Sequence, residues 1–72
     1  MSDAQDIQTA ELLIEGYIGD GEPFPESMST AEILAEMQEY MEREDYIDLL
    51  ACGEWAIGIA LSRVRRTADL VG

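Results

Sequence analysis

The stretch Met28-Ser-Thr-Ala-Glu-Ile-Leu-Ala-Glu-Met-Gln-Glu-Tyr-Met41 decides the fold class, because it contains the clearest helix start in the chain. Ser29 and Glu32 form a capping box, in which each side chain accepts a hydrogen bond from the other residue's backbone N–H. Met28 before the cap and Ile33 after it are spaced to form a hydrophobic staple. Apolar residues then recur every three or four positions, as they do on one face of a helix. We predict a helix over residues 30–44.

The residues before this stretch predict an earlier helix followed by a loop. Apolar side chains recur at helical spacing in residues 3–18, which we expect to form an amphipathic helix. Ser2 with Gln5 has the form of a second capping box. Residues 19–28 contain glycines and two prolines, which cannot continue a helix. They are expected to form a loop whose Phe24 packs under a helix end.

The residues after this stretch predict two further helices. Residues 45–52 have Asp45 as N-cap and are followed by Gly53, a residue typical of helix ends. Residues 54–70 repeat apolar side chains at helical spacing, although residues 55–61 also alternate large and small side chains as a strand does. We favour a helix, because an isolated strand would have nothing to pair with unless the molecule dimerised edge to edge. In a helix, the small residues of that range would let a neighbouring helix approach closely: Ala56, Gly58 and Ala60.

These segments predict an all-α fold, a small bundle of three to four helices in which residues 1–72 form one acidic domain. A chain of 72 residues lies near the size at which a single core is only marginally sufficient. Cys52 is the only cysteine and there is no histidine, so an intramolecular disulfide and an ordinary zinc site are both excluded. Stability must come from packing or from assembly.

The distribution of charge is the most unusual feature of the sequence. Residues 3–42 contain eleven carboxylates and no basic residue, while all four basic residues are arginines between Arg43 and Arg66. The net charge of −12 exceeds the magnitude of roughly 2–8 that keeps a small domain soluble. Such a charge attracts cationic partners. The same charge disfavours direct binding to nucleic acid or to anionic lipid. The acidic N-terminus is unlike a signal peptide, so we expect a cytoplasmic location.

Catalysis and cofactor binding are not expected. Without histidine or lysine the usual general bases and amine nucleophiles are missing. Cys52 is expected to be a small buried apolar residue at a helix end. The segment Asp20-Gly-Glu22 lacks the alternating oxygen ligands of a calcium loop, so no metal site is predicted.

Six glutamates on the predicted helices form what we term the acidic surface: Glu11, Glu15, Glu32, Glu36, Glu39 and Glu42. Three of these, termed the carboxylate row, are Glu32, Glu36 and Glu39. At about 1.5 Å of rise per residue they lie about 4.5–6 Å apart along the helix axis, a spacing similar in scale to that of DNA phosphates. The arginines are expected to pair with acidic helix faces within the molecule.

In length, acidity and helical character, the chain is similar to small phage or mobile-element proteins that block host defence by imitating nucleic acid. That class includes some anti-CRISPR and anti-restriction proteins. The resemblance implies a non-enzymatic inhibitor that occupies a basic, nucleic-acid-binding groove of a partner protein. Acyl carrier proteins are also small, acidic and helical, but their Asp-Ser-Leu site is absent here.

An alternative hypothesis is a small helical adaptor or assembly subunit that binds itself or a partner through apolar faces. Methionine and tryptophan are adaptable and energetically important at interfaces. The contact residues would then be Met28, Met37, Met41 and Trp55, unless they form an ordinary core. A homodimer is compatible with either hypothesis.

Overall fold

The computed structural model describes residues 3–19, 24–25 and 27–71, and for residues 66–71 it describes the backbone. Within these ranges the chain is all-α, as predicted, and residues 55–61 are helical. The four helices are α1 (Asp3–Ile18), α2 (Thr30–Tyr40), α3 (Arg43–Cys52) and α4 (Glu54–Val71). The predicted cap at Ser2 and the loop residues 20–23 and 26 lie outside the described residues. No helix of the described chain is both long enough and apolar enough to cross a membrane.

The start of α2 confirms the predicted capping box. The Ser29 hydroxyl oxygen accepts a hydrogen bond from the backbone N–H of Glu32 at 3.2 Å. In return, the Glu32 carboxylate accepts one from the backbone N–H of Ser29, also at 3.2 Å. Met28 packs against the core that contains the fully buried Ile33, as the staple requires. The local sequence therefore determines where α2 begins.

The predicted boundary between the second and third helices was wrong. The helix expected over residues 30–44 ends at Tyr40, because Met41 and Glu42 have extended backbone with ψ near 151° and 137°. The next helix begins at Arg43, so Asp45 lies in its first turn, and the N-cap residue Glu42 makes no side-chain cap hydrogen bond. Residues 41–44 are good helix formers, and tertiary packing overrides that preference. The break lets the chain turn so that both α2 and α3 contribute to one core.

The core lies between α1 and α4, which form the largest helix–helix contact. α3 packs on α1 and more lightly on α4, and α2 contacts α3 and α4. Each helix contributes apolar side chains, and no polar or charged residue among those described is buried. The central core residues are Ala10, Ile14, Ile33, Met37, Leu49, Ile57, Ala60, Leu61 and Val64.

The small residues of α4 have different surroundings. Ala56 and Ala60 are buried, consistent with a close approach of neighbouring helices. Gly58 differs, because a Cβ added there would meet no atom within 4 Å. The burial of the two alanines therefore fits the expected close approach, whereas the open space at Gly58 contradicts it there.

Glycines in the left-handed region end two of the helices. Gly19 follows α1 with φ of 60°, and its N–H donates to the Glu15 carbonyl oxygen at 2.8 Å. Gly53, with φ of 95°, separates α3 from α4 as predicted. A side chain at either position would strain the backbone.

Candidate functional site

The acidic surface is mostly exposed in the folded chain. Glu15, Glu32, Glu39 and Glu42 are exposed, while Glu11 and Glu36 are half-buried. Glu11 and Glu15 lie on α1, the three glutamates of the carboxylate row lie on α2, and Glu42 lies at the α2–α3 junction. α1 and α2 make little direct contact with each other.

One member of the acidic surface is neutralised by an arginine. Arg63 on α4 donates from Nη1 to Glu11 Oε1 at 3.0 Å, across the α1–α4 packing. This confirms the expected internal pairing for Arg63. Arg65 behaves differently, because it donates to the backbone carbonyl oxygens of Phe24 and Pro25. The Arg66 side chain lies outside the described part of the molecule.

The carboxylate row on α2 remains without a counter-charge. None of Glu32, Glu36 and Glu39 forms an ion pair with any described residue. Glu32 is partly engaged as the acceptor of the Ser29 N–H in the capping box. Burial raises the pKa of Tyr17, and the charge of the nearby Glu36 raises it further. Glu39 is therefore the row member that is exposed and has no hydrogen bond or ion pair with any described residue.

The alternative apolar contact residues occupy different environments. Met37 is fully buried and belongs to the core, so it cannot contact a partner in this structure. Met28 and Met41 are half-buried against the core. Trp55, at the start of α4, is 62% exposed. Of the four, Trp55, Met28 and Met41 retain surface that a partner could bury.

A groove of about 390 Å³ lies where the second half of α1 meets the α2–α3 junction. We term it the tyrosine groove. It is lined by Leu12, Leu13, Gly16, Tyr17, Tyr40, Met41, Glu42 and Asp45. Most of its lining is apolar or aromatic, and the charged side chains described in it are carboxylates.

The sequence did not predict this groove. Tyr40 repeats the helical spacing of the apolar residues before it but is 70% exposed, because α2 ends there and the chain turns away. Leu12 is 63% exposed and lies off the apolar stripe of α1. A leucine outside the stripe was the one available signal. The other wall of the groove is formed by the α2–α3 junction, and the helix preferences of its residues did not reveal the turn there.

A second groove, of about 430 Å³, adjoins the first and shares Met41 with it. It lies between α2 and α3, and its other lining residues are Gln38, Arg43, Tyr46, Ile47 and Leu50. Ile47 and Leu50 are 53% and 47% exposed. The charged residue described in this groove is an arginine, so it differs electrostatically from the tyrosine groove.

Cys52 is half-buried at the end of α3, close to its expected environment. Its thiol donates to the Asp48 carbonyl oxygen at 3.4 Å. Burial raises the pKa of the Cys52 thiol, and the charges of Asp6 and Asp48 raise it further. A raised pKa opposes formation of the reactive thiolate.

The arrangement offers binding surfaces: an unneutralised carboxylate row and an adjoining groove. Among the residues that the structure describes, no three metal-ligating side chains are grouped to hold a metal ion. Comparisons with protein-family models, with curated proteins and with solved structures found no match to this chain.

Proposed function

We propose that this protein is a non-enzymatic inhibitor that presents a carboxylate surface to a basic, nucleic-acid-binding groove of a partner protein. The observation that carries the proposal is the carboxylate row, which has no ion pair with any described residue in a chain of net charge −12. Ordinary surfaces mix both signs of charge, which adds stabilising pairs along a helix. A surface without those pairs is better suited to binding an external cation.

The geometry of α2 supports this role. A capped helix holds its carboxylates at fixed spacing, so little conformational entropy is lost when a partner binds. The row extends over about 10 Å along the axis, at about 1.5 Å of rise per residue. The exposed Glu42 lies at the α2–α3 junction, two residues after the end of α2. A basic groove that normally contacts successive phosphates would meet negative charges at a similar scale of spacing.

Affinity capture from a lysate of the source cells, followed by stepwise salt elution, tests the proposal. A charge-driven partner should bind at about 50 mM salt and be released well before about 500 mM, because screening weakens exposed charge pairs. A partner whose affinity is indifferent to salt over that range would contradict the proposal.

A pair of charge-reversal variants makes the test specific. Glu36→Lys with Glu39→Lys should lower the affinity for the captured partner by at least about tenfold. These two residues neither cap α2 nor line the tyrosine groove. Asp48→Lys with Glu54→Lys is the matched control, because it gives the same net charge by changing exposed carboxylates elsewhere. Equal losses in both variants would show that net charge, and not the row, determines binding.

A second candidate function, a small adaptor or assembly subunit, is favoured by the exposure of large apolar residues. Trp55 and Leu50 are 62% and 47% exposed, so each presents apolar surface that a partner could bury. A homodimer would bring two chains of −12 together, so its apolar contact must outweigh their repulsion. Native mass measurement of the protein and of Trp55→Ala tests this function. A stable dimer that Trp55→Ala dissociates would favour it over the inhibitor.

A further inference from the structure

We propose that the tyrosine groove is the anchoring point for a cationic partner, and that it takes an arginine or lysine side chain next to a bulky apolar one. The inference rests on the proposed function in assuming a basic partner. It goes further by naming the place and chemistry of tight contact. The carboxylate row provides attraction over a distance, whereas the groove provides apolar area that a partner can bury.

The apolar part of the groove requires an apolar occupant. Leu12 and Tyr40 are 63% and 70% exposed, and they flank a depression whose floor includes the half-buried Leu13 and Met41. Burial of exposed apolar area is the main favourable term in most protein associations. Binding energy concentrates in a few well-packed pockets of this kind. A purely ionic partner would leave these side chains in water.

The charged part of the groove identifies the occupant as cationic. Glu42 and Asp45 both line it, and the described lining contains no basic side chain to neutralise them. Two tyrosine rings, of Tyr17 and Tyr40, lie in the same lining. A guanidinium group binds carboxylates through paired hydrogen bonds and also stacks on aromatic faces. One arginine could therefore use both kinds of lining residue at once.

A second copy of this chain fits the groove poorly. Its strongly negative surface would face the groove carboxylates, and residues 3–42 of the copy contain no basic residue. The described part of α2 and the junction after it are equally acidic in both copies. Charge complementarity instead favours a different protein whose surface combines basic and apolar residues.

Selection from a displayed library of random linear peptides tests the inference. At physiological salt, the selected peptides should combine arginine or lysine with a neighbouring leucine or aromatic residue. Leu12→Ser and Tyr40→Ser should each weaken their binding by at least about tenfold. Ile47→Ser is the matched control: it also removes an exposed large apolar side chain, but one outside the tyrosine groove, and it should leave binding unchanged.

Several outcomes would overturn the inference. These are a selection that enriches no peptide, peptides without basic residues, undiminished binding by both groove variants, or a native mass showing that the groove variants dissolve a dimer.

The Glu36→Lys and Glu39→Lys pair separates the two proposals. If that pair abolishes peptide binding while the groove variants do not, the proposed function stands and the groove inference fails. If the groove variants abolish it and the pair does not, the groove inference stands and the carboxylate row is not the binding surface.

Discussion

Arg65 on α4 donates from Nε to the carbonyl oxygen of Phe24 at 3.2 Å, joining two residues that lie far apart in the sequence. Its Nη2 donates to the Pro25 carbonyl oxygen at 2.9 Å. Phe24 in turn stacks on Tyr17 of α1, with ring centroids 6.0 Å apart. A charged donor on α4 and a ring on α1 thus hold Phe24 and Pro25, which precede α2.

Replacing Arg65 should release Phe24 and Pro25 and lower the stability of the fold. Arg65→Met is expected to reduce the free energy of unfolding by about 1–2 kcal/mol, because hydrogen bonds from a charged donor are lost. The backbone N–H of Met28, which donates to Pro25, should exchange with solvent faster. Thermal unfolding and hydrogen exchange measure the two effects. Arg43→Met is the control, because it also removes an exposed arginine. An equal loss of stability in that variant would show that the lost positive charge, and not the lost hydrogen bonds of Arg65, is the cause.

Removing the α2 cap should cost about 1 kcal/mol. Ser29→Ala removes the acceptor for the Glu32 N–H and breaks the reciprocal pair. Denaturant unfolding should show a lower midpoint at unchanged m-value. Ser27→Ala, at an exposed serine outside the helix, should change stability by less than about 0.5 kcal/mol. If both substitutions have similarly small effects on stability, the capping box contributes no measurable stability.

Two glycine substitutions should act in opposite directions. Gly58→Ala is expected to raise the free energy of unfolding by about 0.5–1 kcal/mol, since the site is within a helix and a Cβ there meets open space. Gly53→Ala should lower it by about 1–2 kcal/mol, because φ of 95° strains any residue with a Cβ. Thermal melts of the two variants give the comparison. A destabilising Gly58→Ala would mean that α4 is approached more closely at this point than the structure shows.

The Cys52 thiol should alkylate slowly and lend a pH dependence to stability. Burial, with Asp6 and Asp48, raises the pKa above the ordinary 9.0, so at pH 8 iodoacetamide should react more slowly than with a small-molecule thiol. The folded state binds this proton more tightly than the unfolded state. This contribution to the free energy of unfolding is present below pH 9 and is lost as the pH rises through the raised pKa of the folded state. Cys52→Ser should remove this part of the alkaline loss, and alkylation as fast in the folded protein as in urea would contradict the prediction.

Added salt should stabilise the fold while it weakens partner binding. At about 10 mM salt the Debye length is roughly 30 Å, similar to the 33 Å long axis, so carboxylates repel across the whole molecule. At about 0.1 M it falls to roughly 10 Å and most of that repulsion is screened. We expect the melting temperature to rise by several degrees over this range. The Glu36→Lys and Glu39→Lys variant should show a smaller rise, and a melting temperature that falls with salt would contradict the argument.

Helix existence and three of the four helix starts could be predicted, because each depends on local signals. Ser29 with Glu32 fixes one start, and Gly53 separates the last two helices. The break at Met41 and Glu42 could not be predicted. Residues with good helix preference become extended there because the fold requires α2 and α3 to share a core.

The candidate site was predictable in composition but not in arrangement. Acidity alone indicated the carboxylate row, and the excess of negative charge indicated internal ion pairs of the arginines, which is confirmed for Arg63 and wrong for Arg65. That Glu11 would be the residue paired with Arg63 depends on α1 packing against α4, a contact between distant parts of the sequence. The tyrosine groove depends on the same tertiary geometry, since its walls come from α1 and the α2–α3 junction.

The pairing of α1 with α4 also fixes the order in which the molecule can mature during synthesis. The first helix leaves the ribosome without its main packing partner, and it must wait until α4 has been translated. Until then its apolar stripe of Ile7, Ala10 and Ile14 is uncovered. The many carboxylates of the nascent chain repel one another and other acidic chains during that interval. The same charge that we propose attracts a basic partner therefore also opposes aggregation of the unfinished chain.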